Sequence, residues 1–337
     1  MKLAAPKVSV VIAAYNHERY VANAIESVLA QDFGDFEIIL IDDGSTDRTF
    51  EIARDFRDPR IICSAAARNS GVSATYNACI ERARGHYIAV LNSDDFFLPE
   101  KLKRQVTLLD ARPEVGAVFT HARTVGEHGQ TLSPTGELFA RTNRSRFAWL
   151  RRFFFEGNCL CHPSVMVRRQ VHDEVGLYDP RFAQIHDLDL WIRICGRHEI
   201  HIIEEPLTCF RLRDGENNAN NGRPETLNRI MWEYTHVIRR YAGIDSAAEF
   251  LAIFPEADVD SSRWDPSSRA NALAKLAINV PNLAHAGLAL SLLHELFGNL
   301  GAPAMERRFG LPLSRYLKLT GEIDLFRAHE FTRLRGT

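Results

Sequence analysis

Two pairs of adjacent carboxylates, Asp42-Asp43 and Asp94-Asp95, are the side chains of this sequence best suited to bind a charged ligand. Each pair follows a short apolar run that is typical of a strand buried in a parallel sheet. Ligands of open α/β sheets bind in the crevice beyond the carboxyl ends of the strands, so both pairs are expected to face one crevice. Adjacent carboxylates repel each other, and a divalent cation carried by a nucleotide diphosphate would offset that repulsion. Together the pairs predict such a site, although one pair alone would be explained as a turn and helix cap.

Alternating strand and helix patterns between residues 7 and 110 supply the scaffold that such a site needs. This alternation predicts an α/β fold with a mostly parallel sheet flanked by helices. The predicted strands cover 8–13, 36–41, 60–63 and 87–91, and the predicted helices cover 20–29, 49–56, 72–83 and 99–110. Between about 115 and 213 the pattern changes to strands separated by longer loops, with one helix that opens near Asp187.

The length of 337 residues exceeds what one hydrophobic core usually organises. We therefore expect a principal domain over 1–222 and a helical C-terminal extension over 223–337. The change of pattern divides the principal domain into a first half over about 1–112 and a second half over about 113–222. The boundary falls in the stretch 212–224, which is rich in glycine, asparagine and charged residues.

Composition and charge exclude several classes of protein. The chain has 41 basic and 43 acidic side chains, a net charge of −2, which gives no reason to expect a nucleic-acid partner. It contains no apolar run of the roughly 18 residues that span a bilayer, and its start lacks a secretory leader. Six scattered cysteines favour a reduced, cytoplasmic setting over a disulfide scaffold. The cluster Cys159-Leu160-Cys161-His162 is better explained by buried small residues than by a metal site.

Five short motifs occur in a fixed order along residues 7 to 213. They are VSVVIAAYN (8–16), IDDGSTD (41–47), NSGVS (69–73), LNSDD (91–95) and HDLDLW (186–191). Each motif is weak alone, but their order and spacing together are specific. Through them the chain resembles the inverting nucleotide-sugar glycosyltransferases of family two, whose catalytic domain has the GT-A fold.

The resemblance implies a nucleotide-sugar donor and a divalent cation. It also implies that the half over about 1–112 is the nucleotide-sugar half and that the half over about 113–222 is the acceptor half. Asp43 would face the nucleobase, and a carboxylate suits the imide N–H of uracil or thymine, which favours a UDP- or dTDP-sugar. Asp95 would hold Mg²⁺ or Mn²⁺, with Asp94 on the ribose or the ion, and the ion would act as a Lewis acid while the diphosphate departs. The implied donor-side residues are Ala13, Tyr15, Asn16, Asp43, Gly71, Asn92 and Asp94, with Arg211 and Arg213 closing over the diphosphate.

The resemblance also implies that Asp187 is the general base, which takes the proton from the acceptor hydroxyl as that oxygen attacks the anomeric carbon. A helix start would keep this carboxylate ionised, and the same position would suit a plain helix cap. His162 and His186 would lie on the acceptor side, and structural histidines would explain them equally well. Asp189 is expected to be structural and Trp191 to belong to the core.

Three positions depart from the usual pattern of the family. Tyr76 stands where an arginine often precedes the asparagine of the third motif, and His186 stands where a glutamate is common. Neither departure removes a group on which the proposed mechanism depends. Many relatives have a histidine where Arg213 stands, which argues against a metal-binding role for that position.

The helical region that follows residue 225 lies outside the resemblance. Its last stretch, from Gly301, has a modest basic excess interleaved with leucines and could rest on an anionic membrane surface, next to a lipid-linked saccharide acceptor. The more ordinary alternative is a helical cap that packs on the catalytic domain or on a second subunit of a homo-oligomer.

Two other functions compete with sugar transfer to a glycan or a lipid-linked saccharide. A catalytically silent scaffold that binds a nucleotide or a glycan would not need the intact acids. A nucleotidyltransferase would need a glycine- and lysine-rich triphosphate loop, and the sequence has none. A nicotinamide-dependent oxidoreductase is excluded in the same way, because no Gly-x-Gly-x-x-Gly follows the first strand.

Overall fold

The structure is a computed structural model, and it describes residues 5–133, 138–213 and 223–325. The chain divides into two compact units, Met1–Arg223 and Pro224–Thr337. Most of the predicted boundary stretch, and the basic residues of the tail after Leu325, lie outside the described residues.

Four parallel strands form the first half of the N-terminal unit. β1 (Val8–Ala14) lies between β2 (Phe36–Asp42) and β4 (Tyr87–Asn92), and β3 (Ile61–Ala65) pairs with the outer side of β2. Continuous apolar runs form these strands because helices cover both faces of the sheet. The helices are α1 (Val21–Leu29), α2 (Thr49–Asp55), α3 (Val72–Arg82) and α4 (Lys101–Ala111). The strands and helices predicted in this half are thereby confirmed, with ends that differ by one or two residues.

The register of these strands brings the predicted acids to one edge of the sheet. Ala14 at the end of β1 lies opposite Asp42, and Ala13 lies opposite Asn92. Because all three strands run in the same direction, the loops that carry Asp43 and Asp94 leave the sheet at the same level.

Mixed pairing characterises the second half of this unit. Its strands are β5 (Phe96–Phe97), β6 (Val115–Val125), β7 (Thr131–Ser133), β8 (Met166–Arg168) and β9 (Glu199–Arg211). The sheet order is β3-β2-β1-β4-β8-β6-β9-β5, with β7 paired to β6. β8 is antiparallel to both β4 and β6, whereas β6 and β9 are parallel. β5 pairs with β9 and thereby joins the first half of this unit to the end of its second half.

Three helices occupy the region where the sequence predicted strands, loops and a single helix. α7 (His186–Cys195) is the predicted helix, whereas α5 (Arg146–Glu156) and α6 (Arg169–Val175) were not predicted. The buried face of α5 is formed by Trp149, Leu150, Phe153 and Phe154. These residues follow the helical period, but the arginines between them disguise it in the sequence.

The C-terminal unit is helical in its described residues, as predicted. Its helices are α8 (Pro224–Ile238), α9 (Ala247–Ile253), α10 (Pro266–Ala277), α11 (Leu283–Leu300), α12 (Ala302–Phe309) and α13 (Leu313–Glu322). The buried side chains of Phe250, Phe254, Leu273 and Leu288 contribute to its core. Across the described part of the chain, none of the helices combines the length and the hydropathy needed to cross a bilayer.

Candidate active site

The loop after β1 is locked against the loop after β2 through Asn16. Asn16 has a positive φ of 52°, which asparagine tolerates better than most residues. Its Oδ1 accepts a hydrogen bond from the backbone N–H of Thr46 at 2.8 Å, and its own N–H donates to Ser45 Oγ at 2.9 Å. The sequence predicted Asn16 as a donor-binding residue, but these bonds commit its side chain to holding the loop. Its neighbour Tyr15 is 43% exposed at the rim of the crevice, beside the half-buried Ala13.

The two acids of the first pair have different roles. Asp42 caps its own turn, because its Oδ2 accepts the N–H of Ser45 at 2.9 Å. Asp43 follows β2 and accepts three hydrogen bonds from the loop that precedes α3. The N–H and the hydroxyl of Ser70 both donate at 2.8 Å, and the N–H of Gly71 donates at 2.9 Å. A carboxylate offers about four acceptor positions, so one remains for the predicted contact with a base.

Two glycines allow these loops to approach each other. Gly71 has a φ of 91° and begins α3 immediately after donating to Asp43. Gly44 has a φ of 73°, and a Cβ atom there would lie 2.8 Å from the backbone carbon of Arg68. A larger residue at position 44 would therefore separate the loop after β2 from the loop that precedes α3.

Asp94 carries the accessible carboxylate of the second pair. Its Oδ2 lies 3.2 Å from Nε of Arg213 and 3.8 Å from Nε2 of His17. His17 was not predicted as a site residue, although it directly follows the first motif. In the same group, Ser93 Oγ donates to the carbonyl oxygen of Ala13 at 3.1 Å.

A hydrogen-bonded chain fixes the protonation of His17. Because Ser93 Oγ already donates to Ala13, it accepts from Nδ1–H of His17 across 2.7 Å. Nε2 of His17 is then left with a lone pair, which accepts from Nη1 of Arg213 across 3.0 Å. Burial lowers the pKa of His17, and this outweighs the opposing effect of Asp94. His17 is thus a neutral hydrogen-bond relay between the loop of β4 and Arg213.

Asp95 faces the interior, and its predicted role as the metal ligand stays a prediction. It is 1% exposed; its Oδ1 accepts the backbone N–H of Arg211 at 2.7 Å, and its Oδ2 accepts Nδ2 of Asn92 at 2.8 Å. Burial, followed by the nearby charge of Asp94, raises the pKa of Asp95 well above its usual range. Asp95 thus joins the end of β4 to β9, whereas Asp94 is the more exposed of the two carboxylates. Both ends of the Asn92 amide are also hydrogen-bonded. Its Nδ2 donates to Asp95, and its Oδ1 accepts from the hydroxyl of Tyr76 at 2.8 Å.

Arg211 makes several contacts within the protein, and its predicted binding of the diphosphate stays a prediction. Its guanidinium group donates to the carbonyl oxygens of Asp94 at 2.7 Å and of Glu127 at 2.8 Å, and to Oδ1 of Asn23 at 3.0 Å. The same group lies 5.1 Å from the ring centroid of Tyr20. A diphosphate would have to compete with all of these contacts, so of the two predicted arginines Arg213 is the better placed.

Asp187 lies in the first turn of α7 and does not cap it. The position before the helix belongs to Ile185, and the carboxylate of Asp187 is 8% exposed. Its Oδ1 accepts the N–H of Leu188 at 2.8 Å, and its Oδ2 accepts Nδ2 of Asn158 at 2.5 Å. Asn158 was not predicted; it lies in the segment after α5 and is held by the N–H of Leu160. The plain helix cap considered for Asp187 is therefore wrong.

A cluster of neutral rings underlies Asp187, and we call it the ring cluster: Tyr76, His162, Tyr178 and His186. His162 Nε2 is 2.9 Å from the hydroxyl of Tyr178, and its ring centroid is 5.2 Å from those of Tyr76 and His186. Burial lowers the pKa of His162 well below its usual range and that of His186 to about 4. Both predicted acceptor-side histidines are thus packed, uncharged residues. Two positions that depart from the family pattern, 76 and 186, lie together here.

Two further residues of α7 are structural, as predicted. Trp191 is fully buried, with its ring 4.9 Å from that of Phe119. Asp189 is also fully buried and accepts from Nε of Arg193 at 2.9 Å. These contacts anchor the helix that presents Asp187.

A series of bonded and packed residues leads from Asp95 towards Asp187. Asp95 is bonded to Asn92, and Asn92 to the hydroxyl of Tyr76. The ring of Tyr76 packs on His162. From there the ring cluster leads to Tyr178, whose pKa is raised by burial and then by the charge of Asp187. Asp95 and Asp187 therefore lie near the two ends of one series of neighbouring residues.

The donor set fits a cation that brings most of its own ligands. Within the residues that the structure describes, no three His, Cys, Asp or Glu side chains converge into a complete metal site. Mg²⁺ commonly takes one or two protein carboxylates and completes its shell with phosphate oxygens and water. Asp94 suits that pattern because its carboxylate is partly exposed, and a cation there would compete with Arg213 for the carboxylate.

Comparison with known proteins places this arrangement among sugar transferases. A family model described as glycosyl transferase family 2 matches residues 9–176. The chain is 31% identical over 236 residues to an uncharacterized glycosyltransferase of Methanocaldococcus jannaschii, an alignment that covers 68% of this chain and 79% of that protein. It is 30% identical over 221 residues to an uncharacterized glycosyltransferase of Nostoc sp., covering 64% and 67% of the two chains.

Solved structures match the fold over most of the chain. The structure of S. aureus TarS 1-349 in complex with UDP-GlcNAc superposes with a TM-score of 0.57 at 20% identity, covering 90% of this chain and 92% of that one. The same fragment in complex with UDP gives a TM-score of 0.55. These likenesses, together with the family match, confirm the predicted GT-A type of α/β fold with its C-terminal helices.

Proposed function

Because the chain belongs to glycosyl transferase family 2, we propose that it moves a sugar from a uridine or thymidine diphosphate sugar to a hydroxyl of a glycan or a lipid-linked saccharide, with inversion at the anomeric carbon. Family membership makes the protein a transferase. The donor, the acceptor and the stereochemistry are parts of the proposal, and each is supported by a different part of the site.

The loops around Asp43 support a pyrimidine donor. The carboxylate of Asp43 has one acceptor position beyond its bonds to Ser70 and Gly71, and the imide N–H of uracil or thymine would fill it. The exposed ring of Tyr15 offers an aromatic face at the same edge of the sheet. TarS 1-349, which shares this fold, was crystallised with UDP-GlcNAc and with UDP.

Asp94 and Arg213 support binding of the diphosphate. Asp94 would hold a Mg²⁺ or Mn²⁺ ion, which when bound would act as a Lewis acid on the departing diphosphate. Arg213 pairs with Asp94, and its planar guanidinium group suits phosphate oxygens. His17 accepts a hydrogen bond from Arg213 and thereby fixes the direction of that side chain.

The position of Asp187 carries the proposal of an inverting reaction. In such a reaction one base removes the proton of the acceptor hydroxyl while its oxygen attacks the anomeric carbon from the side opposite the diphosphate. Asp187 lies in the first turn of α7, where the helix dipole favours the ionised carboxylate. Asn158 holds one of its oxygens, and the neutral ring cluster beneath it adds no competing charge.

The substitution Asp187→Asn tests this assignment. The variant should bind UDP in calorimetry with the affinity of the unchanged protein and lose sugar transfer by about 10²- to 10⁴-fold, the usual contribution of general base catalysis. The substitution Asp189→Asn is the control. It should lower the unfolding temperature and have only a small effect on the turnover. Full transfer by Asp187→Asn would reject Asp187 as the base. If the unchanged protein bound donors and acceptors yet never transferred a sugar, the chain would be a silent binding scaffold.

A further inference from the structure

The C-terminal unit contains an open cleft that the proposed reaction does not use. Its volume is about 610 Å³, within the range of small-molecule sites. Two segments line it: the residues that precede α10 and one face of α12. They contribute Arg263, Trp264 and Asp265, and Ala304, Arg307 and Arg308.

The charge of this cleft is strongly positive. Three guanidinium groups line it against the single carboxylate of Asp265, which leaves an excess of two positive charges. Asp265 is already committed, because it accepts the N–H of Ser268 at the start of α10 and forms an ion pair with Arg308. Arg263 lies 3.6 Å from Asp260, which is outside the cleft. Arg307 is exposed and has no hydrogen-bond or ion-pair partner among residues 223–325.

The walls of the cleft are held in place independently of any ligand. Asp265 and Ser268 form a reciprocal capping box at the start of α10. The pair Asp265–Arg308 ties that helix start to α12. The ring of Trp264 packs on the buried ring of Phe250, with 4.9 Å between centroids. The cleft therefore presents cationic groups beside a fixed, half-buried aromatic wall.

We propose that this cleft binds a phosphate monoester or diphosphate group whose attached moiety lies against Trp264. A phosphate monoester carries nearly two negative charges at neutral pH, which suits a lining in which arginines outnumber acids. Guanidinium groups bind phosphate oxygens in a bidentate manner, and three of them can surround one such group. The cleft is also larger than an inorganic ion requires. Two sources share this chemistry: free inorganic pyrophosphate, and the diphosphate that joins a saccharide to a prenyl carrier.

Calorimetry on the full chain tests the proposal with inorganic pyrophosphate in metal-free buffer. Arg307→Glu should weaken binding at least about tenfold, because it reverses the charge of the least committed arginine. The matched control is Arg229→Glu, an exposed arginine of α8 outside the cleft, and it should leave the affinity unchanged. The thermal unfolding of Arg307→Glu should match that of the unchanged protein, which shows that lost binding is not lost folding.

A third variant separates this cleft from the crevice of the N-terminal unit. Arg213→Ala should leave pyrophosphate binding intact. If Arg213→Ala abolished it while Arg307→Glu preserved it, the anion would belong to the crevice and the proposal would be wrong. An equal loss of pyrophosphate affinity in Arg229→Glu would show that positive charge attracts the anion unspecifically, and this too would overturn the proposal. Sugar transfer is not a readout here, so failure of this proposal is distinguishable from failure of the proposed reaction.

The affinity for geranyl diphosphate, compared with that for pyrophosphate, shows which of the two sources supplies the diphosphate group. If the cleft serves a prenyl carrier, geranyl diphosphate should bind at least about tenfold more tightly than pyrophosphate, and Trp264→Ala should remove that difference. Equal affinities for both compounds would assign the cleft to the inorganic anion.

Discussion

The side-chain amide of Asn158 donates to Oδ2 of Asp187, with 2.5 Å between nitrogen and oxygen. The N–H of Leu188 binds the other oxygen, so the carboxylate is held at both ends and cannot rotate freely. The N–H of Leu160 in turn fixes Asn158. Asn158 is therefore a positioning residue for the proposed base.

The first prediction concerns Asn158→Ala. The variant should lower kcat by about 10- to 100-fold and leave the donor KM nearly unchanged, because a misdirected base affects the chemical step and not donor binding. Steady-state kinetics measures kcat and the donor KM separately. Asn143→Ala is the control, since Asn143 bonds only the backbone of Ile202 in the contacts that the structure gives it. That variant should lose stability while retaining kcat, and an equal loss of kcat in both would make Asn158 merely structural.

A second prediction separates the two acids of the second pair. Asp94→Asn should abolish any strengthening of UDP binding by Mn²⁺, because it removes the charge that faces the crevice. Asp95→Asn should preserve the Mn²⁺ effect but lower the unfolding temperature, since an amide cannot accept from both Arg211 and Asn92. Calorimetry with and without Mn²⁺ distinguishes them. The opposite pattern would restore Asp95 as the metal ligand.

The two arginines at the end of β9 should also differ. Arg211→Lys removes the guanidinium group that donates to Asp94, Glu127 and Asn23. This should lower the free energy of unfolding by about 3 kcal/mol and the unfolding temperature by several degrees. Arg213→Lys should change that temperature little and weaken UDP binding instead. Differential scanning fluorimetry and calorimetry provide the two measurements. A stable Arg211→Lys variant with impaired UDP binding would contradict the structural role of Arg211.

Acid sensitivity follows from buried histidines. Burial lowers the pKa of His172 to about 4, below its unfolded value of 6.5. The unfolded chain thus binds more protons below pH 6.5, and stability falls as the pH decreases from there towards 4. Between pH 7.5 and 5 this histidine should contribute a loss of about 2 kcal/mol.

Urea titrations at both pH values check this loss. His172→Gln should reduce the difference in unfolding free energy between the two, whereas His128→Gln, at an exposed position, should leave it unchanged. If both variants showed the same difference as the unchanged protein, burial of His172 would not be the cause.

Donor choice gives the last prediction. Uridine and thymidine diphosphate sugars should raise the unfolding temperature more than guanosine diphosphate sugars do, because a ligand that binds only the folded state stabilises it by mass action. The test is a thermal-shift panel with and without Mn²⁺. A larger shift with the guanosine compounds would contradict the proposed contact between Asp43 and a pyrimidine base.

The sequence by itself determined the elements of the first half and the edge of the sheet at which the acids meet. Buried parallel strands carry continuous apolar runs, and ligand crevices lie beyond their carboxyl ends, so local patterns were sufficient. The helical start that presents Asp187 was also predictable from its periodicity. Helix α5 was not, because its apolar period is interrupted by arginines.

The tertiary structure decided which polar groups remain available to a ligand. Asp95 is bound by a backbone N–H 116 residues away, and Asp187 by an amide 29 residues away. Arg211, Asn16 and Asn92 were all assigned to a ligand by position in the sequence, yet each also bonds partners distant in the sequence. Hydrogen-bond saturation depends on such long-range neighbours, and no local spacing encodes them. For the same reason His17 and Asn158 became recognisable as site residues only in the folded chain.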